Sequence, residues 1–323
     1  MKMEFRRCLE NAALATALLL ALPAAASADM SLTVGKAAPT SDAIIPVNVG
    51  DQLGIFKKHG LDLKIIEFGG GSKAAQALTA GAIDIEDGAG SEMAFVAKGA
   101  PMIGVCESTA PAPFLAVGVP PDSPIKSLQD LKGKLIGVSN PGSFSDWSAH
   151  LLAKKNGWGD DGVKTVGLGN GAGPVGAAFK AHQVDAFVTN TTLILAMAEK
   201  NEARLIAPVS TYEGNVASGV LYASNQVLAK NPEAIRAFIA AWIETVDWMH
   251  AHKAETVKIE SGITKFDEAV MAQEYDLVIG MYTKDCRFDA ESMAALKQSF
   301  IDLKLVDGVP DMAKLYTEAY LPK

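Results

Sequence analysis

The sequence predicts an α/β protein of two lobes, each a mostly parallel sheet with helices on both faces, joined by two crossing strands as a hinge. Three observations predict it. Alternating, β-branched segments take turns with Ala-rich helical ones, the pattern of a parallel sheet covered on both sides. The stretch LDLKIIEFGGGSKAAQALTAGAIDIEDGAGSE (residues 61–92) reads as strand, glycine turn, short helix, strand and second glycine turn. VKTVGLGNGAGPVGAAFKAHQVDAFVTNTT (163–192) repeats that order, with Phe68-Gly-Gly-Gly over Leu168-Gly-Asn-Gly and Ile83-Asp84 over Val184-Asp185. Two like modules suggest two like lobes, with ordinary βαβ convergence as the alternative. Finally, two extended apolar segments, 114–119 and 216–223, suit an outward and a return crossing.

The N-terminus is read apart from the fold. Lys2, Arg6 and Arg7 precede an apolar run at 12–22 and a small-residue tail at 23–28, where Ala26-Ser27-Ala28 fits a cleavage site. The run is short for a bilayer span, so a cleaved export signal is expected, with the mature chain starting at Asp29. No cysteine follows the run to carry a lipid. Arg6-Arg7 resembles a twin-arginine signal, but Glu10 and the missing flanking pattern favour general export. Residues 29–323 carry 26 basic and 35 acidic side chains, a net charge of about −9 that speaks against nucleic acid or an anionic membrane as partner. Their length suits two domains with a core each, divided as lobe one (29–119), lobe two (120–217) and the remainder of lobe one with the C-terminal helices (218–323). With 49% hydrophobic and 20% charged residues, disorder is excluded. Cys8 leaves with the signal. Cys106 and Cys286 either pair, if the C-terminal segment packs on the first lobe, or stay as buried thiols.

Taken in order, residues 32–37 form a first strand and 39–42 a turn that caps a helix running to Lys58, where His59-Gly60 stops it. Residues 61–68 are a strand, 73–80 a helix closed by Gly81, 83–85 a third strand, and Ser91 or a neighbour opens a helix ending near Gly99. A fourth strand spans 102–106. Pro111, Pro113, Pro120, Pro121 and Pro124 bracket the crossing strand at 114–119. A short helix at 127–134, a strand at 135–139 and a helix at 145–155 open the second lobe. The echo module, a helix at 193–200 and a strand at 204–207 complete it. After the return strand, Asn231-Pro232-Glu233 starts a helix with cap, N1 proline and first-turn acid in order. Its stripe of Ile235, Phe238, Ile239, Trp242, Val246 and Met249 is a core face. Helices at about 267–282 and 290–303 end the chain.

Four glycine or hydroxyl turns fall at predicted strand ends: Thr40-Ser41, Gly70-Gly71-Ser72, Gly90-Ser91 and 140–143. Helix starts there expose N–H donors, and ligands of open α/β sheets bind at that edge, so the four can converge on one cleft. Gly167-Leu-Gly169-Asn-Gly-Ala172 matches a dinucleotide fingerprint, but the acid that should close the next strand, Asp185, opens it instead. His59, His182, His250 and His252 have no metal-ligand neighbours. His150 follows Ser143 and Ser145 and could activate a serine only if the helix did not hold them apart; it is expected at the surface. Glu86, Asp87 and Glu92 cluster beside the Gly88–Gly90 turn, where they could bind a cation or amine but are expected as a solvated turn. Phe144 and Trp147 could stack on a planar ligand. No catalytic constellation, metal site or cofactor is expected.

The runs QLGIFKKHGLDLKIIEFGGGSKAAQALTAGAIDI, SEMAFVAKGAPM and SPIKSLQDLKGKLIGVSNPGS resemble the solute-binding proteins of ABC importers in the nitrate/sulfonate/taurine and thiamine-precursor (NMT1/THI5-like) group, over nearly the whole mature chain. The resemblance implies the type II periplasmic-binding-protein fold, a periplasmic monomer, and a small organic solute closed between the lobes. That solute, a sulfonate-, nitrate- or taurine-like anion or a pyrimidine-type precursor, would pass to an ABC permease in the inner membrane. Contacts implied at matching positions are Thr40, Ser41, Gly71, Ser72, Gly90 and Ser91 in lobe one. Lobe two would supply Asn140, Ser143, Phe144, Asn190 and Thr191. One departure speaks against a strongly anionic solute: Asn140-Pro141 stands where anion-binding members often carry a basic or extra hydroxyl residue. The iron motif of the related yeast-type pyrimidine synthases is missing. The alternative from another class is an enzyme on the same fold acting on a small heterocycle or organic acid.

Overall fold

The computed structural model describes residues 30–38, 44–159, 161–169 and 171–322. The leader with its cleavage site near Ala28, the turn containing Thr40 and Ser41, and Asn170 lie outside the described residues.

β1 (Met30–Lys36) leads to α1 (Pro46–Gln52) and α2 (Ile55–Lys58). The sequence predicts a single helix here. Gly54, at φ +71°, takes the left-handed conformation that ends one helix and starts the next. Pro46 occupies the first helical turn, where its missing N–H has no partner to lose. β2 (Leu61–Glu67), α3 (Gly71–Thr79), β3 (Ile85–Ala89), α4 (Met93–Ala97) and β4 (Met102–Thr109) follow. The third strand is expected at 83–85 and found at Ile85–Ala89. The displacement carries Glu86 and Asp87 out of the expected solvated turn into the buried sheet. Its cause is pairing over distance: both residues are held in register by Gly35 and Lys36 on one side and by Tyr222 and Leu221 on the other.

β5 (Leu115–Val119), β6 (Leu135–Val138), α5 (Phe144–Lys155), β7 (Lys164–Gly167), α6 (Ala172–Lys180), β8 (Ala186–Asn190), α7 (Thr191–Glu199), β9 (Arg204–Pro208) and α8 (Ser210–Glu213) build the second lobe. β10 (Gly219–Ser224) returns to the first sheet, followed by α9 (Asn225–Lys230), α10 (Pro232–Ala251), α11 (Lys253–Thr264), α12 (Glu268–Val278) and α13 (Ala290–Asp302). The sequence reading names neither α9 nor α11. α9 is a short helix whose Ser224 cap accepts from the Val227 N–H at 3.1 Å. In α11, the charged segment KAETVKIESGIT shows too narrow an apolar stripe to stand out.

Each sheet has five strands, in the orders β2-β1-β3-β10-β4 and β7-β6-β8-β5-β9. Four strands of each run one way. The fourth in order, β10 or β5, runs against its two neighbours. The two glycine modules of the sequence are thus β2-α3-β3 and β7-α6-β8, in equivalent places of equivalent sheets. β5 is hydrogen-bonded in the second sheet, so the chain crosses at 110–114 and returns at 209–218. Between those segments the Ser218 N–H donates to the Thr109 carbonyl at 3.0 Å, and the hydroxyls of Thr109 and Ser218 lie 3.0 Å apart.

The α10 stripe packs on α1 and α2, and all six of its apolar residues are buried. One continuous apolar cluster fills the first lobe and reaches Phe114, Phe144 and Trp147 across the cleft, while Val175, Phe179, Phe187 and Leu193 form a second layer in lobe two. Cys106, on β4, is disulfide-bonded to Cys286, fixing the segment before α13 against the first sheet. The Glu107 carboxylate beside it accepts from the Asp289 N–H at 2.8 Å and the Ser292 hydroxyl at 2.7 Å. Trp147 donates to the Ser299 hydroxyl at 3.1 Å, so α13 touches both lobes.

Candidate functional site

The carboxyl ends of β1, β3, β6 and β8 point at one another across the cleft, the edge at which open α/β sheets take ligands. A cavity of about 60 Å³ lies there. Ordinary small-molecule pockets run from about 300 Å³ upward, so the lobes stand nearly shut on it. The first lobe contributes Ala37 and Ala38 after β1, Gly71 at the start of α3, Gly88 and Ala89 at the end of β3, and Glu92. The second lobe contributes Leu115 at the start of β5, Ser139, Ser143, Phe144, Ser145 and Asn190; Phe114 and Ser218 come from the crossing segments.

Glu92 is fully buried. It closes the 3-10 turn before α4: its Oε2 accepts from the Ala89 N–H, while Oε1 has no hydrogen-bond partner. Gly71 is glycine for this reason, since a Cβ there would fall 2.1 Å from Glu92 Oε1. Glu86 and Asp87 are equally buried, and their carboxylate oxygens have no hydrogen-bond partner. Burial pushes the Glu92 carboxyl up to about 8 against the pull of its backbone N–H contacts. Glu86 is held well above the usual carboxylate range, first by burial and then by the like charges of Glu92 and Asp87. Burial raises Asp87 too, and Lys36 opposes it. Lys36 is itself buried; it donates to Asn48 Oδ1 and lies 3.7 Å from the Glu67 carboxylate. The Tyr222 hydroxyl donates to the Ala89 carbonyl at 2.7 Å, bracing the end of β3.

The second wall is made of hydroxyls and rings. Ser139, Ser143 and Ser145 form a triangle with Oγ separations of 2.8, 3.0 and 3.1 Å, and the Ser139 N–H donates to Ser145 Oγ at 3.0 Å. Phe144 stacks between Phe114, at 6.0 Å, and Trp147, at 4.8 Å. The lobes also touch directly. The Asn140 side-chain amide donates to the Gly69 carbonyl, and a Cβ on Gly70, which sits at φ +140°, would fall 2.0 Å from that amide nitrogen.

Of the residues singled out from sequence, Gly71, Ser143, Phe144 and Asn190 line the cavity together. Asn140 bridges the lobes at its rim instead. Gly90 is packed against the Ala217 carbonyl, 1.9 Å from where its Cβ would be. Ser72 opens onto a separate groove beside Phe95, and Ser91 onto a 460 Å³ side cavity with Phe95 and Trp147. Thr191 is buried, its hydroxyl donating to the Pro113 carbonyl at 2.8 Å. His150 lies 3.5 Å from the Asp146 carboxylate, which raises its pKa, and Ser143 is bonded to serines; they form no nucleophile–base pair. Ser139, Ser218 and Phe114 were not among the contacts expected from sequence, Ser145 was weighed there only as a partner for His150, and Glu92 was expected in solvent. A strand end followed by three serines within seven residues was the one available signal for the hydroxyl wall.

Among the described residues no helix is long and apolar enough to cross a membrane. The family model described as NMT1/THI5 like matches residues 42–256. A Brucella abortus (strain 2308) protein, whose name classes it provisionally as a binding protein, is 29% identical over 232 residues, 70% of this chain and 69% of its own length. The alkanesulfonate-binding protein SsuA from Xanthomonas axonopodis pv. citri, bound to MOPS, superposes with a TM-score of 0.74 at 19% identity, over 89% of this chain and 98% of that one. The periplasmic nitrate-binding protein NrtA from Synechocystis PCC 6803 does so with a TM-score of 0.70 at 14% identity, over 90% and 86%. At such identities the likeness is one of fold.

Proposed function

We propose that this chain, which belongs to the NMT1/THI5-like family, is an exported solute receptor that closes its two lobes over a small organic molecule and delivers it to an ABC permease in the inner membrane. The observation that carries the reading is the cavity itself. Both lobes supply its walls, it sits at the carboxyl edges of both sheets, and only two short segments tied at Thr109 and Ser218 connect the halves behind it. Such a hinge lets binding energy be converted into closure, because the closed form makes contacts with the solute that the open form lacks. The Asn140–Gly69 bond is one contact of the closed form alone, so its energy adds to that of the solute. Export follows from the leader, and a monomer presenting one closed face to the permease is the working state.

An enzyme on the same fold would need a reactive group aimed into the cavity. The three serine hydroxyls of the second wall are bonded to one another, Ser218 donates to the Thr109 and Pro111 carbonyls, and His150 is engaged with Asp146, which leaves Glu92 as the titratable side chain among the described lining residues. Native mass spectrometry of freshly purified protein tests the receptor reading, followed by thermal denaturation with and without whatever molecule is released. A retained small molecule that leaves unchanged and raises the melting temperature on re-addition supports it. Conversion of that molecule to a product overturns it.

A further inference from the structure

We infer that the cleft is built for the protonated nitrogen head group of a small organic cation, an amine, amidinium or guanidinium on a flat apolar body, with Glu92 as its counter-charge. This rests on the receptor reading above. The cavity holds one buried carboxyl oxygen, Glu92 Oε1, that no group among the described residues satisfies, although Oε2 of the same side chain is bonded to the Ala89 N–H. A buried oxygen left without a donor is costly, and a ligand N–H placed in the cavity would remove that cost. The chain has cleared space for the carboxylate by keeping Gly71 without a Cβ.

The rest of the lining agrees in sign. Among the described residues no lysine or arginine contributes to it. Lys36, the buried cation at the end of β1, is engaged with Asn48 and Glu67. Glu86, on β3, lies close enough to Glu92 for their charges to oppose each other, so a sulfonate or nitrate would enter beside two acidic side chains, whereas a cation lets one of them ionise. A metal ion is the other kind of cation, and the side chains do not suit it. Among the described residues no three His, Cys, Asp or Glu groups converge to hold one. Facing Glu92, the serine triangle offers hydroxyls to a polar edge, and the Phe114 and Phe144 side chains offer apolar surface to the body of the molecule.

The proton inventory makes the inference measurable. Burial in the nearly shut cleft pushes the Glu92 carboxyl up to about 8, so near neutral pH its pairing with a cation is coupled to loss of a proton. The titratable groups that interact with it are Glu86 on β3 and Tyr222 on β10, which also reaches the Ala89 carbonyl, while Asp87, the next residue of β3, is set against Lys36 on β1. Lys73, on α3, is exposed, and the second lobe's part of the lining is uncharged.

The test uses three probes of one shape and three charges on the full mature chain: benzamidinium, benzamide and benzoate, by titration calorimetry and thermal shift from pH 6 to 9. Benzamidinium should bind at least about 100-fold more tightly than benzoate at pH 8, with an affinity that rises roughly tenfold per pH unit up to about 8 and then levels. Comparing buffers of different ionisation enthalpy at pH 7 should show close to one proton released per cation bound. Glu92→Gln should abolish that release and the pH dependence while leaving benzamide within about threefold. The wild-type pH series and proton count decide the matter even if Glu92→Gln does not fold. Benzoate binding as tightly as benzamidinium, or cation binding without proton release, overturns the inference and leaves the receptor reading intact. Binding of none of the three, beside a retained solute in native mass spectrometry, also overturns it alone. No retained or stabilising molecule of any kind removes both.

Discussion

Replacing Cys106 and Cys286 together by alanine should lower the melting temperature of the mature chain by about 5–8 °C. The bond joins positions 180 residues apart. Closing a loop of that length removes roughly 5 kcal/mol of chain entropy from the unfolded state, and measured effects usually fall somewhat below that ceiling, so about 3–5 kcal/mol is expected. Unfolding entropy of about 2 cal/mol/K per residue over the mature length gives about 0.6 kcal/mol per degree, hence the temperature range. The native packing does not depend on the bond alone. Around it, Glu107 still accepts from Asp289 and Ser292, and bridges pair Gly104 with Tyr316 and Thr109 with Tyr282. Calorimetric melting of wild type and double variant measures the drop, with a thiol count in denaturant under non-reducing conditions to confirm that wild type carries no free thiol. A drop under about 2 °C would refute the entropic reasoning. So would loss of hydrogen-exchange protection in α13 in the folded variant, which would mean the bond holds native packing rather than restraining the unfolded chain.

Three further outcomes follow from the cleft and the buried acids. Asn140→Ala removes one interlobe hydrogen bond, worth about 0.5–1.5 kcal/mol, so the ratio of closed to open molecules should fall roughly 2- to 13-fold, read as a larger radius of gyration by small-angle scattering. An unchanged radius would show that this bond does not favour closure. Gly71→Ala forces a Cβ against the buried Glu92 carboxylate and should cost about 1–3 kcal/mol, measured by denaturant titration; a neutral substitution would mean that Glu92 moves aside freely. Glu107, Glu92 and Glu213 have folded pKa values raised to about 7, 8 and 8, mainly by burial. The folded state therefore binds more protons than the unfolded one between about pH 4.5 and 8, and stability falls as pH rises through that window. The melting temperature should be higher at pH 5.5 than at 8.5, and Glu213→Gln should flatten the profile; a rise with pH would contradict the burial of these groups.

Local pattern carried the lobes. Alternation marked β2, the stripe from Ile235 to Met249 marked α10, and Asn231-Pro232-Glu233 marked where α10 begins, because periodicity, caps and prolines act within a few residues. The glycine modules were legible as equivalents because a parallel strand–helix–strand unit needs the same turn each time, and they do occupy equivalent places. Gly71, Ser143 and Phe144 could be picked out because they lie at turns on the edge where such sheets take ligands, whereas Asn190 came from the family resemblance; all four line the cavity. Gly90, chosen by the same local rule, and Thr191, implied by the resemblance, turned out to be packing positions, against Ala217 and Pro113.

By itself, then, the sequence determined what depends on near neighbours: element types, the doubled module, and a cleft placed between two like halves. The tertiary structure alone decided the chemistry inside that cleft. Glu86 and Asp87 read as a solvated turn until β10, more than a hundred residues on, paired with β3 and buried them. Asn140 found the Gly69 carbonyl across the cleft, and Cys106 found Cys286. Whether a carboxylate is an ordinary surface charge or an unsatisfied buried one depends on how much water is excluded around it, and that is set by chain segments meeting across long separations.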